Sequence, residues 1–190
     1  MTDLIRSFIA IELPPELKSQ IDVYLKALRG IAPNVNWVRS ESMHLTLKFL
    51  GNLQPDMVNR VVLSLMDTGK SFPPFSLKIT NFGSFPNRRT PRIIWLGLTG
   101  VPQESLLSLH QWIDNRMSML GFEREQRAFS PHLTLGRLKE KPDPVAIWEY
   151  LDHNPFNIFD FRVTEFVLMR SNLKPTGAEY RPLQKYTLQE

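Results

Sequence analysis

The chain has 190 residues, 42% of them hydrophobic, with four tryptophans and a formal charge of +4. That length and apolar content suit one domain or two small lobes around a real core, and there is no composition shift that marks a disordered half. Cysteine is absent, which excludes disulfides, thiolate zinc sites and a cysteine nucleophile.

The first apolar run, Ser7 to Leu13, reads as a buried strand, and Pro14-Pro15 ends it and opens a helix. Leu17, Ile21, Leu25 and Leu28 recur at helical spacing, with Gly30 as a stop signal. Asn36 to Arg39 suggests a short strand. Met43 to Leu50 is a further strand, turned by Gly51-Asn52. Pro55 then starts a second helix with Val58, Val61, Val62 and Leu65 as its apolar stripe and Gly69 at its close. Phe75 to Phe82 alternates as a half-buried strand, Gly83 to Pro91 reads as a loop, and Arg92 to Leu98 as another strand. A third helix runs from about Pro102 to Leu120, with Gly121 as terminator. His132 to Arg137 is a strand. A fourth, short helix carries Val145, Ile147, Trp148 and Leu151. Phe161 to Arg170 reads as one strand, Lys174 to Gly177 as a turn, and Glu179 to Leu188 as the last strand. Mixed helices and adjacent strand pairs predict an α+β fold with antiparallel sheet.

No segment reaches the ~18 apolar residues of a membrane span. The N-terminal apolar run is short and broken by charge, unlike a signal peptide. A cytoplasmic protein with no membrane partner is expected. No heptad pattern calls for an oligomer, so a monomer is expected.

Two strands share one tetrapeptide, His44-Leu45-Thr46-Leu47 and His132-Leu133-Thr134-Leu135. With only four histidines in the chain, chance places threonine two residues after two of them with odds of about one or two in a hundred. A strand with this pattern turns His and Thr to one face and both leucines to the other. Two such strands facing one cleft suit a phosphodiester. One neutral imidazole takes a proton from an attacking water, the other gives one to the leaving oxygen, and each threonine donates to a phosphoryl oxygen. Rival chemistries lack their residues. His110 with Asp114, and His153 near Asp152, make no recognised metal set, so no metal or other cofactor is expected. No Gly-x-Ser-x-Gly elbow or glycine-rich nucleotide loop is present. His110 reads as a helix boundary residue and His153 as solvated. Arg88-Arg89 with Arg92 reads as a solvated loop or, alternatively, a phosphate-contacting rim.

These motifs, with Phe8-Ile9-Ala10-Ile11-Glu12-Leu13-Pro14, Phe82-Gly83-Ser84-Phe85-Pro86, Ile94-Trp95-Leu96-Gly97 and Tyr180-Arg181-Pro182-Leu183, resemble the two-histidine (2H) phosphoesterases. Within them the likeness is to the RNA 2′,3′-cyclic phosphodiesterases, once described as 2′-5′ RNA ligases, and it covers nearly the whole chain. The resemblance implies a single domain over 1–190, made of two pseudo-symmetric lobes with antiparallel sheets and outer helices around a V-shaped cleft. It implies metal-free hydrolysis of a 2′,3′-cyclic phosphate on RNA or a nucleotide to a 2′-phosphomonoester. His44 would be the proton donor, His132 the proton acceptor, and Thr46 and Thr134 the phosphate ligands. The identical motifs do not themselves assign the two roles. A 2′-5′ ligase of tRNA halves uses the same chemistry, and a non-catalytic RNA-binding module is the third alternative.

Strict alternation sends Phe49 to the core face. It sends Arg137 there too, unless a bulge after Gly136 turns it toward the cleft as a substrate contact. Phe8 and Phe85 are candidate rings for base stacking, with core packing the expectation for Phe8.

Overall fold

The computed structural model describes residues 4–138, 144–174 and 177–189. Of the predicted turn before the last strand, residues 175 and 176 lie outside the described residues. The elements run β1 (Ile5–Glu12), α1 (Pro15–Ile31), β2 (Asn36–Trp37), β3 (His44–Leu53), α2 (Pro55–Leu65), β4 (Phe75–Phe85), β5 (Ile93–Val101), α3 (Gln103–Met119), β6 (His132–Arg137), α4 (Val145–His153), β7 (Asp160–Val163), β8 (Glu165–Lys174) and β9 (Gly177–Thr187), with two 3₁₀ turns at Ser40–Ser42 and Thr68–Ser71.

The strands form two antiparallel sheets, ordered β3-β1-β8-β9 and β2-β6-β5-β4-β7. Each sheet holds one of the two histidine strands. They are not halves of the sequence. The first sheet joins β1 and β3 to the late hairpin β8–β9, while β4 to β7 build most of the second.

Helix α1 forms because Pro15 sits at its first turn, where no N–H is needed, and Leu17, Ile21, Leu25 and Leu28 stack on one face. All four are fully buried, each contributing about 1.5–3 kcal/mol of apolar transfer. The helix runs one residue past Gly30 and stops ahead of Pro33. Helix α3 buries Leu106, Leu109, Ile113 and Met117. It packs on β4 and β5 of the second sheet, touches β3 of the first, and receives α2 on its flank. One continuous core takes in side chains from both sheets and from α1, α2, α3 and α4. A second, small cluster of Phe8, Ala10, Val167 and Met169 lies on the other face of the first sheet.

Of the predicted boundaries that move, three change how the strands are joined. The strand expected over Phe161 to Arg170 is two strands. It breaks at Thr164, where the chain leaves β4 in one sheet and joins β1 in the other. Gly51-Asn52 does not end β3. Gly51 takes φ +76° and the ladder continues to Leu53. Strand β4 runs on through Gly83 to Phe85 where a loop was expected.

Candidate active site

Both histidine strands show the alternation their sequence demands. His44 and Thr46, like His132 and Thr134, are half-buried, while Leu45, Leu47, Leu133 and Leu135 are in the core. Strands β3 and β6 come close to one another where the two sheets meet.

The two imidazoles are held in the same way. His44 Nδ1 lies 3.1 Å from the Ser42 carbonyl oxygen, and His132 Nδ1 lies 2.7 Å from that of Ser130. A carbonyl can only accept, so Nδ1 carries the proton in both rings. Nε2 is then the open nitrogen, a base when the ring is neutral and a donor when it is charged. The sequence echo therefore extends two residues upstream, as Ser-x-His-Leu-Thr-Leu, a longer repeat than the tetrapeptide.

The environments differ. His44 stacks on Phe8, with centroids 4.5 Å apart, and meets Tyr180 edge-on at 4.9 Å. Burial between these rings drives its pKa down to about 4, against the pull of the Ser42 carbonyl, and the Lys18 cation pushes the same way as burial. His132 sits edge-on to Phe85 at 5.1 Å, with Trp95 at 6.4 Å. Trp95 fits there because residue 83 is glycine: a Cβ at that position would lie 2.2 Å from its ring.

Bulges decide which further side chains join the two histidine faces. In β3, Ala10 pairs with Thr46 and Phe8 with Phe49, with register shifts on either side of the Phe8–Ile9 step. Directly paired residues share a face, so Phe49 stands on the face of His44 and Thr46 and is 70% exposed. This corrects the expectation that alternation buries it. Phe8 is buried as expected, but in the small cluster under His44 rather than in the main core. In β6, Trp95 pairs with Thr134 and Ile93 with Arg137, with a shift between Ile94 and Trp95. Arg137 therefore lies on the face of His132 and Thr134, exposed; the bulge that turns it there falls at Leu135, ahead of Gly136 rather than after it.

Tyr180 of β9 enters the sequence reading only within the tail block of the resemblance, with no role attached, and it connects the two sides. Its ring touches His44, and its hydroxyl, raised by burial, is pulled back by the Arg137 and Arg6 cations. Arg88 forms neither a free loop cation nor a free rim. It pairs with both Asp152 carboxylate oxygens, at 2.7 and 2.6 Å, and lies 4.1 Å over the Trp148 ring. His153 is exposed, as expected. Among the described residues, no three His, Asp or Glu side chains gather as a metal set, and no helix is long and apolar enough to cross a membrane.

A family model described as the 2′-5′ RNA ligase superfamily matches residues 14–175. The chain belongs to the 2′-5′ RNA ligase superfamily. It is 35% identical to the RNA 2′,3′-cyclic phosphodiesterase of Thermotoga maritima over 94% of this chain and 92% of that one. It is 29% identical to the Escherichia coli K12 protein of the same name over 99% of both chains. Among solved structures, E. coli LigT complexed with 3′-AMP superposes with a TM-score of 0.80 at 27% identity, covering 99% of this chain and 100% of LigT. A structure from Thermus thermophilus superposes at 0.81, with 27% identity, over 96% of this chain and 97% of that one.

The depressed His44 pKa has a consequence that NMR titration of the ring reads directly. In the free protein His44 charges only as pH falls to about 4, because burial disfavours the imidazolium. Its titration midpoint is therefore expected near pH 4 rather than near the ordinary imidazole value. Phe8→Ala, by letting water reach His44, is expected to move that midpoint upward. A midpoint unmoved in Phe8→Ala would contradict burial as the cause.

Proposed function

We propose that this protein hydrolyses 2′,3′-cyclic phosphodiester ends of RNA to 2′-phosphomonoesters, without a metal, in the cytoplasm and as a single-domain monomer. The observation that carries this reading is the matched pair of imidazoles, each with Nδ1 tied back to a carbonyl and Nε2 open, each with a threonine hydroxyl on its own face. The names of the superfamily members support the substrate class. One chain supplies both histidines, so a single copy suffices for the site.

In this mechanism His132 Nε2 takes a proton from water as the water oxygen bonds to phosphorus. His44 Nε2 gives its proton to the 3′ oxygen as the phosphorus–O3′ bond breaks. Thr46 and Thr134 donate to the non-bridging oxygens, and the Arg137 guanidinium neutralises the charge that builds there. Burial disfavours a proton on His44 in the free protein, and the anionic phosphodiester supplies the counter-charge that lets it stay. The proton gained by His132 and the one lost by His44 re-equilibrate through solvent. A cavity of about 300 Å³ beside His44, lined by Arg39, Glu41, Ser42, Tyr180 and Arg181 among others, offers room for RNA beyond the terminal nucleotide.

The test is turnover of a 2′,3′-cyclic nucleotide, and of RNA ending in a cyclic phosphate, in EDTA. A 2′-phosphate product is expected. Joined RNA in place of a hydrolysis product would indicate the ligase, and affinity without turnover the binding module. The division of roles has its own test. A 3′-deoxynucleoside 2′-(p-nitrophenyl phosphate) puts p-nitrophenolate, which leaves without protonation, in the place of the departing 3′ oxygen. His44→Ala is expected to lose much less activity on it than on the cyclic phosphate, while His132→Ala loses equally on both. The reverse pattern would exchange the two roles.

A further inference from the structure

The ten residues between Gly121 and His132 contain no helix or strand, yet they deliver the Ser130 carbonyl that orients His132. Their position is set from the other histidine strand. Lys48, two residues past Thr46, pairs with Ile9 across β1 and so lies on the face turned away from His44. Its ammonium bonds Asp114 of α3 and donates to the Glu123 carbonyl at 2.6 Å. The same Asp114 oxygen accepts the Glu125 N–H at 3.2 Å. Both side chains are buried, at 9% residue exposure each. Burial raises the Asp114 carboxyl, and Lys48 with the Glu125 N–H outweighs it, so the group stays ionised.

One helical turn before Asp114, the His110 ring lies flat on Phe129, centroids 3.8 Å apart and planes within 9°. Burial favours the neutral form of that ring, which suits an aromatic stack. Phe129 directly precedes Ser130. The segment is thus gripped at its near end by two directional bonds to backbone atoms, and at its far end by a stack beside the carbonyl that matters. An apolar anchor would hold the loop against the core but would not fix where its peptide groups stand. A buried ion pair costs desolvation, and its return here is direction.

We infer that the Lys48–Asp114 pair and the His110–Phe129 stack are positioning elements for catalysis: they register the Ser130 carbonyl, and with it the open Nε2 of His132, against the first histidine strand. The inference rests on the reading of His132 as a reacting group.

The test uses the full chain with Lys48→Met and Asp114→Leu combined, which replaces the pair by apolar side chains of similar volume, and separately Phe129→Leu. Thermal unfolding first establishes that the double variant folds as stably as the parent. Imidazole ¹⁵N spectra then report the His132 tautomer, and steady-state kinetics on a 2′,3′-cyclic nucleotide report kcat and KM. In the parent, His132 is expected as the Nδ1–H form alone. In the double variant a mixture of tautomers is expected, with kcat lower by about 10–100-fold and KM within about twofold. Phe129→Leu should move both readings the same way by less. A stable double variant that keeps the single tautomer, or keeps the parent kcat, would overturn the inference. A parent without turnover would instead overturn the proposed function, and the tautomer reading would still decide whether the pair positions His132.

Discussion

Alanine at His44 or at His132 is expected to lower kcat/KM for a 2′,3′-cyclic nucleotide by about 10²–10⁴-fold, the range for losing one positioned acid or base. The double substitution should fall well short of the product of the two, because hydrolysis that has lost one arm gains little from the other. The hydroxyls of Thr46 and Thr134 and the guanidinium of Arg137 remain in each variant, so affinity for a 2′-nucleotide product should fall far less than turnover. Kinetics and product binding measured on the same preparations check this. Turnover near the parent rate in either single variant would remove that histidine from the chemistry.

The second large effect is on stability. Lys48→Met leaves the Asp114 carboxylate buried without its cation, and Asp114→Leu leaves the Lys48 ammonium without its anion. Removing one partner of a buried pair costs about 3–5 kcal/mol. For a chain of this size that is a fall of roughly 6–20 °C in thermal midpoint. The combined substitution removes both charges and is expected to recover most of the loss. A double variant as unstable as either single one would mean that the ionic contact itself, and not relief of a lone charge, sustains this part of the fold.

The parts of the site legible in the sequence are those governed by period-two alternation. His44, Thr46, His132 and Thr134 share burial with one another, and the four motif leucines are in the core, because a regular strand leaves no other choice. Alternation fails one residue later. The bulges that bring Phe49 and Arg137 round to the histidine faces are slips in hydrogen-bond register, and a slip leaves little trace in composition. Gly136 suggested a bulge after itself, and the slip falls one residue earlier, at Leu135. Nothing near Phe49 hinted at the other, and a phenylalanine in an apolar strand reads as core. The place of Tyr180 beside His44 was illegible for a different reason: the two meet across two intervening strands, and local pattern carries no information about partners so distant. The break at Thr164 was hidden because both strands it separates are apolar and extended. Lys48 was passed over because an isolated lysine in a strand normally marks a solvent-facing position, and only the placement of α3 beneath β3 turns it into an interior cation.

The braided sheet order bears on how the molecule comes into being on the ribosome. Strands β4 to β6 and the helices among them follow one another along the chain and can pair soon after they emerge. The sheet that holds His44 cannot close until β8 and β9 have followed β4 to β7 off the ribosome, since β1 pairs with β8 and Tyr180 of β9 packs against the imidazole. Contacts between such distant segments are the slow ones to form. Until then Phe8 and its neighbours stand uncovered and His44 is open to water. A nascent chain in which β8 and β9 have yet to emerge therefore lacks one of the two walls around its histidine strands, and His44 gains its cover only with them.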